Sequence, residues 1–100
     1  MTTQELRELD KWIDLNLFEN DLPDFSPRYT TDSAFAMDVL KKCAEKGRVC
    51  IDIDPLSGLF SVFQDVRQLS IIDVGIVEQA ETLELAIAQF AKSLFSQTTK

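Results

Sequence analysis

The sequence predicts a small α+β domain: a three-stranded antiparallel sheet packed with three helices, in the order α-α-β-β-β-α, as a layered α/β/α sandwich. Three observations carry this expectation. Apolar residues recur at three- and four-residue steps in three separate segments, each with one stripe to bury. Between the second and third of these segments the period changes to two, the signature of strands. The tract "DPLSG" joins two of the β runs with Pro and Gly turn chemistry, so they form a hairpin. A sheet with an apolar face and helices with one apolar stripe each are buried most simply as layers. At 100 residues the chain is expected to be a single domain spanning 1–100.

The first helix is expected over residues 3–18. Thr2 and Glu5 have capping-box spacing, in which the hydroxyl accepts from a free backbone N–H and the carboxylate reaches back. Leu6, Leu9, Ile13 and Leu17 share a face, with Trp12 and Phe18 flanking it. An ordered loop over 19–31 follows, stiffened by Pro23 and Pro27, with Leu22, Phe25 and Tyr29 placed to dip into the core. The second helix, 32–46, carries Ala36, Val39, Leu40 and Cys43 as its stripe, with Phe35 and Met37 at the margins. Lysines at its end suit the helix dipole, and Gly47 suits a left-handed cap.

The hairpin is expected over 48–65. Val49, Ile51 and Ile53 point one way and Cys50, Asp52 and Asp54 the other; the second run, apolar on both sides, reads as central or covered. The third strand is expected over 70–77, with Gly75 marking a bulge or break. The last helix, 82–96, has Thr82 as its N-cap, Leu83, Ile87, Phe90 and Leu94 as its stripe, and Ala86 and Ala91 for close approach.

Composition excludes several functions. The net charge is −7, unsuited to direct nucleic-acid binding, which needs Lys and Arg to displace counterions from phosphates, or to anionic lipid. The charge is uneven. Residues 1–32 hold eight acids (Glu5, Glu8, Asp10, Asp14, Glu19, Asp21, Asp24 and Asp32) against Arg7, Lys11 and Arg28, a balance of −5. No apolar run approaches a membrane span and the N-terminus is polar, so a cytoplasmic protein with Cys43 and Cys50 reduced is expected. The chain has no histidine, which removes the usual general base, and no Gly-rich phosphate loop. Two cysteines at this spacing make no zinc site. The expectation is therefore no enzyme, no cofactor and no metal.

Three constellations remain. Asp52 and Asp54, with Asp65 or Asp73 across the sheet, have the oxygen chemistry of a hard-cation site; the plainer role is a solvated strand face with Asp54-Pro55 opening a turn. Arg28, Tyr29, Thr30 and Thr31 precede the second helix and could contact an anion. Asp32 occupies the place an anion would want, so the preferred role is capping, with Thr30 or Thr31 as cap and Asp32 in support. Finally Glu19, Asp21 and Asp24 with Trp12 and Phe25 make a mixed acidic and aromatic surface for a partner. Trp12, Phe18, Phe25, Phe60 and "IIDVGIV" are the candidates for spare apolar surface.

The "LDKWIDLNLF" opening, the "YTTD" entry to the second helix and the G-x-V-x-I-x-I-D-P-x-x-G hairpin resemble the phage ABA sandwich domain family, small phage and prophage proteins. The resemblance runs from Leu6 to Leu94. In that family the tract before the second helix reads proline, tyrosine, serine or threonine, threonine, aspartate; here it is Pro27, Tyr29, Thr30, Thr31 and Asp32, with Arg28 intervening. The third strand, "IIDVGIVEQ", departs from the pattern in being longer and more apolar. The resemblance implies a layered α-β-α domain and no established activity, so no catalytic residue carries over. The functional expectation is a non-enzymatic acidic interaction protein of phage or prophage origin. It would bind a host or phage protein, as a nucleic-acid-mimicking decoy or anti-defence factor, or pair with a second copy through a sheet edge or exposed apolar surface. The alternative is a small nucleotide- or anion-sequestering protein that uses the start of the second helix.

Overall fold

The computed structural model describes residues 2–19, 27–64 and 77–97. Its elements are α1 (Thr3–Leu17), α2 (Ser33–Ala44), β1 (Val49–Ile53), β2 (Phe60–Gln64), β3 (Val77–Ala80) and α3 (Leu83–Gln97). The order is the expected one, with helices packed against an antiparallel sheet. Residues 70–76 of the expected third strand and most of the expected 19–31 loop lie outside the described residues; β3 begins at Val77, where that strand was expected to end.

Helix α1 starts as its sequence dictates. The Thr2 N–H donates to Glu5 Oε1 at 2.9 Å and the Glu5 N–H donates to Thr2 Oγ1 at 3.1 Å, closing the capping box. These hydrogen bonds hold the Glu5 carboxyl below its ordinary pKa, the backbone N–H of Thr2 contributing most. The helix ends at Phe18, and Glu19 follows with φ 58, the left-handed conformation that glycine adopts most easily. Helix α3 is entered at Thr82, whose Oγ1 accepts the Leu85 N–H at 3.2 Å, as expected.

Helix α3 is the hub. It packs on β2 and β3 and, on other sides, on α1 and α2. Its buried set, Ala86, Ile87, Ala88, Phe90, Ala91 and Leu94, is accordingly wider than a single stripe, and its alanines allow the close approaches. Leu9, Ile13 and Leu17 of α1 and Ala36, Val39 and Cys43 of α2 complete the core, as their spacing predicts. Both cysteines are free, and burial pushes the Cys43 thiol up to about 12. Ser33 Oγ donates to Glu84 at 2.7 Å and links the starts of α2 and α3.

In the sheet β2 is central, as its two apolar faces suggest. Ile51 pairs with Val62 and Val62 with Glu78; Ile53 pairs with Phe60 and Phe60 with Ala80. Directly paired residues share a face, so Val49, Ile51 and Ile53 lie on the side where Val62 and Ala80 are buried. Yet Ile51 is 43% and Ile53 56% exposed. The alternation is as expected, but β1 is an edge strand and α3 covers only its neighbours, so burial fades from Val49 outward. In the hairpin loop, the Asp54 carboxylate accepts from the Leu56 N–H and Ser57 Oγ, both at 2.9 Å. Those bonds lower its pKa, the Leu56 N–H first. Gly58 takes φ 73, which the turn requires. Among the described residues no helix is long and apolar enough to cross a membrane.

Candidate functional site

The tract before α2 is a turn. The Asp32 N–H donates to Arg28 O at 2.8 Å and the Thr31 N–H to the same oxygen at 3.2 Å. The cap is Asp32 itself, not Thr30 or Thr31: its Oδ1 accepts the Ala34 N–H at 2.9 Å and the Phe35 N–H at 3.4 Å. Asp32 directly precedes the first helical residue in an extended conformation, the position from which a side-chain oxygen reaches the free N–H groups of the first turn. Thr30 is committed elsewhere. Its N–H donates to Asp10 Oδ1 at 2.8 Å, and the Tyr29 hydroxyl donates to Asp14 Oδ1 at 2.8 Å.

Asp10 and Asp14 are one turn apart on α1, 1% and 2% exposed. Asp10 also accepts from Arg7 Nη1 at 3.0 Å. A buried carboxylate is tolerable only when paired and hydrogen-bonded, and here the pairing ties the turn to α1. The Tyr29 ring stacks on Phe18 at 5.3 Å and meets Phe35 edge-on at 5.8 Å. Burial, and then the bond to Asp14, raises its phenol above the ordinary range. Of the four candidate anion contacts, Tyr29 and Thr30 are thus buried, whereas Arg28 and Thr31 are exposed. A cavity of about 200 Å³ opens beside them, lined by Thr3, Leu6, Arg7, Asp10, Arg28, Thr30 and Thr31.

The acidic N-terminal third is therefore not one acidic surface. Asp10 and Asp14 are interior and Asp32 is a cap. Glu5, Glu8 and Glu19 are exposed, and Asp21, Asp24 and Phe25 lie outside the described residues. Trp12 takes part in a grouping that the sequence did not suggest. It is half-buried against the core and lines a groove of about 520 Å³ between α1, α3 and β3. Glu5, Glu8 and Glu78 line the same groove, with Lys92 as the single cation among its described residues. The Lys92 ammonium stands 5.9 Å from the Trp12 ring centroid, within cation–π range. Glu78 accepts from Ser93 Oγ at 2.7 Å, which orients its carboxylate.

Glu8, Glu78 and Lys92 were not legible as a site. Glu8 precedes Trp12 by one helical turn, which is a usable signal; Glu78 and Lys92 arrive only through the packing of α3 on β3. The groove can hold a cationic side chain. Among the described residues no three His, Cys, Asp or Glu gather to hold a metal, and Asp65 and Asp73 lie outside them. Asp54 spends its carboxylate on the turn. The spare aromatic surface expected at Trp12, Phe18 and Phe60 is also reduced: all three pack against the core, and Lys42 lies 5.8 Å over the Phe18 ring. Among the described residues the exposed large apolar side chains include Ile51, Ile53 and Leu56, which were not among the candidates, and Val77, the last residue of "IIDVGIV", which was; Phe25 and residues 71–76 lie outside the described residues.

No known sequence family matches the chain, and no curated protein does. A search of solved structures finds likeness of fold. The crystal structure of a phage protein from Bacillus cereus ATCC 14579 superimposes with a TM-score of 0.72 at 20% identity, covering 96% of this chain and 92% of that one. At that identity the likeness shows that the two chains share a fold from end to end.

Proposed function

We propose that this chain is a non-enzymatic interaction protein of phage or prophage origin, of the ABA sandwich type, that docks a basic segment of a host or phage protein in the groove beside Trp12. The observation that carries this function is the groove itself: three carboxylates, Glu5, Glu8 and Glu78, around a tryptophan face that a lysine already occupies. Lys92 marks the seat a partner's arginine or lysine would take, an interaction of about 0.5–2 kcal/mol depending on desolvation. A nucleic-acid-binding partner, with its own basic surface, suits such a groove, and the chain would act there as a decoy. The fold shared with a phage protein supports the proposed origin.

The test is titration of a short arginine-rich peptide by calorimetry at low salt. Glu8→Lys combined with Glu78→Gln is expected to weaken binding by about tenfold or more. Glu19→Lys, away from the groove, changes it little. Equal affinity of all three proteins would remove the groove as the docking site. A second copy of the chain is the other candidate partner, favoured by exposed Ile51 and Ile53 on edge strand β1. A solution mass of one chain across the micromolar range would set that partner aside.

A further inference from the structure

We propose that the cavity between the start of α1 and the turn 28–31 binds a small tetrahedral oxyanion, inorganic phosphate or the terminal phosphate of a monoester. The cavity is on the flank of α1 away from the Trp12 groove. At about 100° per residue, Thr3, Arg7 and Asp10 face roughly opposite Glu5, Glu8 and Trp12. Its polar lining is two guanidinium groups, three threonines and one carboxylate. Asp10 does little to repel an anion there, because one oxygen accepts the Thr30 N–H and the other accepts from Arg7. The formal charge of the lining is then +1, in a chain of −7.

Two further observations point to a ligand, the first of them independent of that charge. Thr30 is 2% exposed and its Oγ1 is a buried polar atom with no hydrogen-bond partner, although the residue lines the cavity. An orphaned buried hydroxyl costs about 1–3 kcal/mol unless something satisfies it, and a phosphate oxygen would accept from it. Arg28 is exposed at the cavity and no described residue pairs with its guanidinium, whose fork matches two phosphate oxygens. Size sets the ligand class. At about 200 Å³ the cavity is below the usual range of roughly 300–1,000 Å³ for drug-sized ligands. It takes a phosphate group and leaves the rest of a nucleotide outside.

The experiment is a titration of inorganic phosphate, and separately of glycerol phosphate and a nucleoside monophosphate, into the labelled full chain, followed by amide chemical shifts. Sodium chloride at matched ionic strength is the blank. Saturable shifts centred on Thr3, Arg7, Thr30 and Thr31 are expected with phosphate and absent with chloride. Arg28→Gln is expected to weaken binding by about tenfold, and Thr30→Val by about fivefold, whereas Thr30→Ser keeps the hydroxyl and the affinity. If Thr30→Val does not fold, Arg28→Gln and Thr30→Ser decide. Tighter binding of the esters than of phosphate assigns the site to a phosphorylated metabolite, and equal binding assigns it to the free anion. Shifts that chloride reproduces, that Arg28→Gln leaves unchanged, or that never saturate would overturn the proposal.

Discussion

On one flank of α1, Glu8 and Trp12 stand at the edge of an open groove. On the other, Asp10 and Asp14 are closed inside and hold the turn at Tyr29 and Thr30. Both flanks border the same apolar stripe of Leu9, Ile13 and Leu17. In a count of charges the three acids are alike. In the folded chain Glu8 stays exposed to water at the groove, while Asp10 and Asp14 have exchanged water for protein donors. A buried acid that is fully hydrogen-bonded works as a fastener, and removing one side of it leaves the other side unpaired. Net charge per segment therefore overstates the acidic surface wherever such fasteners exist.

The largest effect expected is from Asp14→Ala, which leaves the buried Tyr29 hydroxyl without its acceptor and costs about 2–3 kcal/mol in urea unfolding. Tyr29→Phe combined with Asp14→Ala should cost clearly less than the two single losses added, since they share one bond. Glu8→Ala on the open flank should stay within about 0.5 kcal/mol; a cost matching that of Asp14→Ala would break the comparison.

The pH dependence separates the flanks next. Tyr29, with its pKa raised above the ordinary 10.0, and Cys43, raised from 9.0 to about 12, both hold their protons longer folded than unfolded. Their contribution is complete below about pH 9 and is lost as pH rises toward the folded values. Glu5 and Asp54 are shifted down, so their smaller, solvent-screened contribution is present above the ordinary carboxylate range and lost in acid. Thermal unfolding across pH should show a steep alkaline limb that Tyr29→Phe flattens and a shallow acid limb that it leaves alone.

Smaller effects sharpen the boundary of the closed flank. Asp32→Ala removes the cap of α2 and should cost about 1 kcal/mol, against about 0.5 kcal/mol or less for Thr31→Ala. Glu19→Gly relieves the left-handed backbone at the end of α1. It should gain about 0.5 kcal/mol, because the relief of roughly 1 kcal/mol is partly offset by the freer unfolded chain.

Local features were readable from the residues. The Thr2–Glu5 box, the Thr82 cap, the "DPLSG" hairpin and the stripes of all three helices depend on neighbours within a few positions, and each lies where its spacing places it. Asp10 and Asp14 were not readable, because their partners are 20 and 15 residues away and the intervening chain sets the meeting. Their four-residue spacing beside the apolar stripe, with Tyr29-Thr30 after a stiffening proline, was the available clue. Ile51 and Ile53 failed for a related reason: alternation gives the face of a strand, but only the reach of α3 decides how far along that face burial extends. The groove at Trp12 needs three elements at once, and the one-turn step from Glu8 to Trp12 was its only local trace.

Trp12 is the single tryptophan of the chain. It lines the groove with an ammonium over its ring, so its emission reports on one place only. Anything that displaces Lys92 changes the polarity and the charge beside that indole at the same moment. The protein thus carries its own fluorescent gauge of groove occupancy, one that needs no label and is blind to the cavity on the far flank of the same helix.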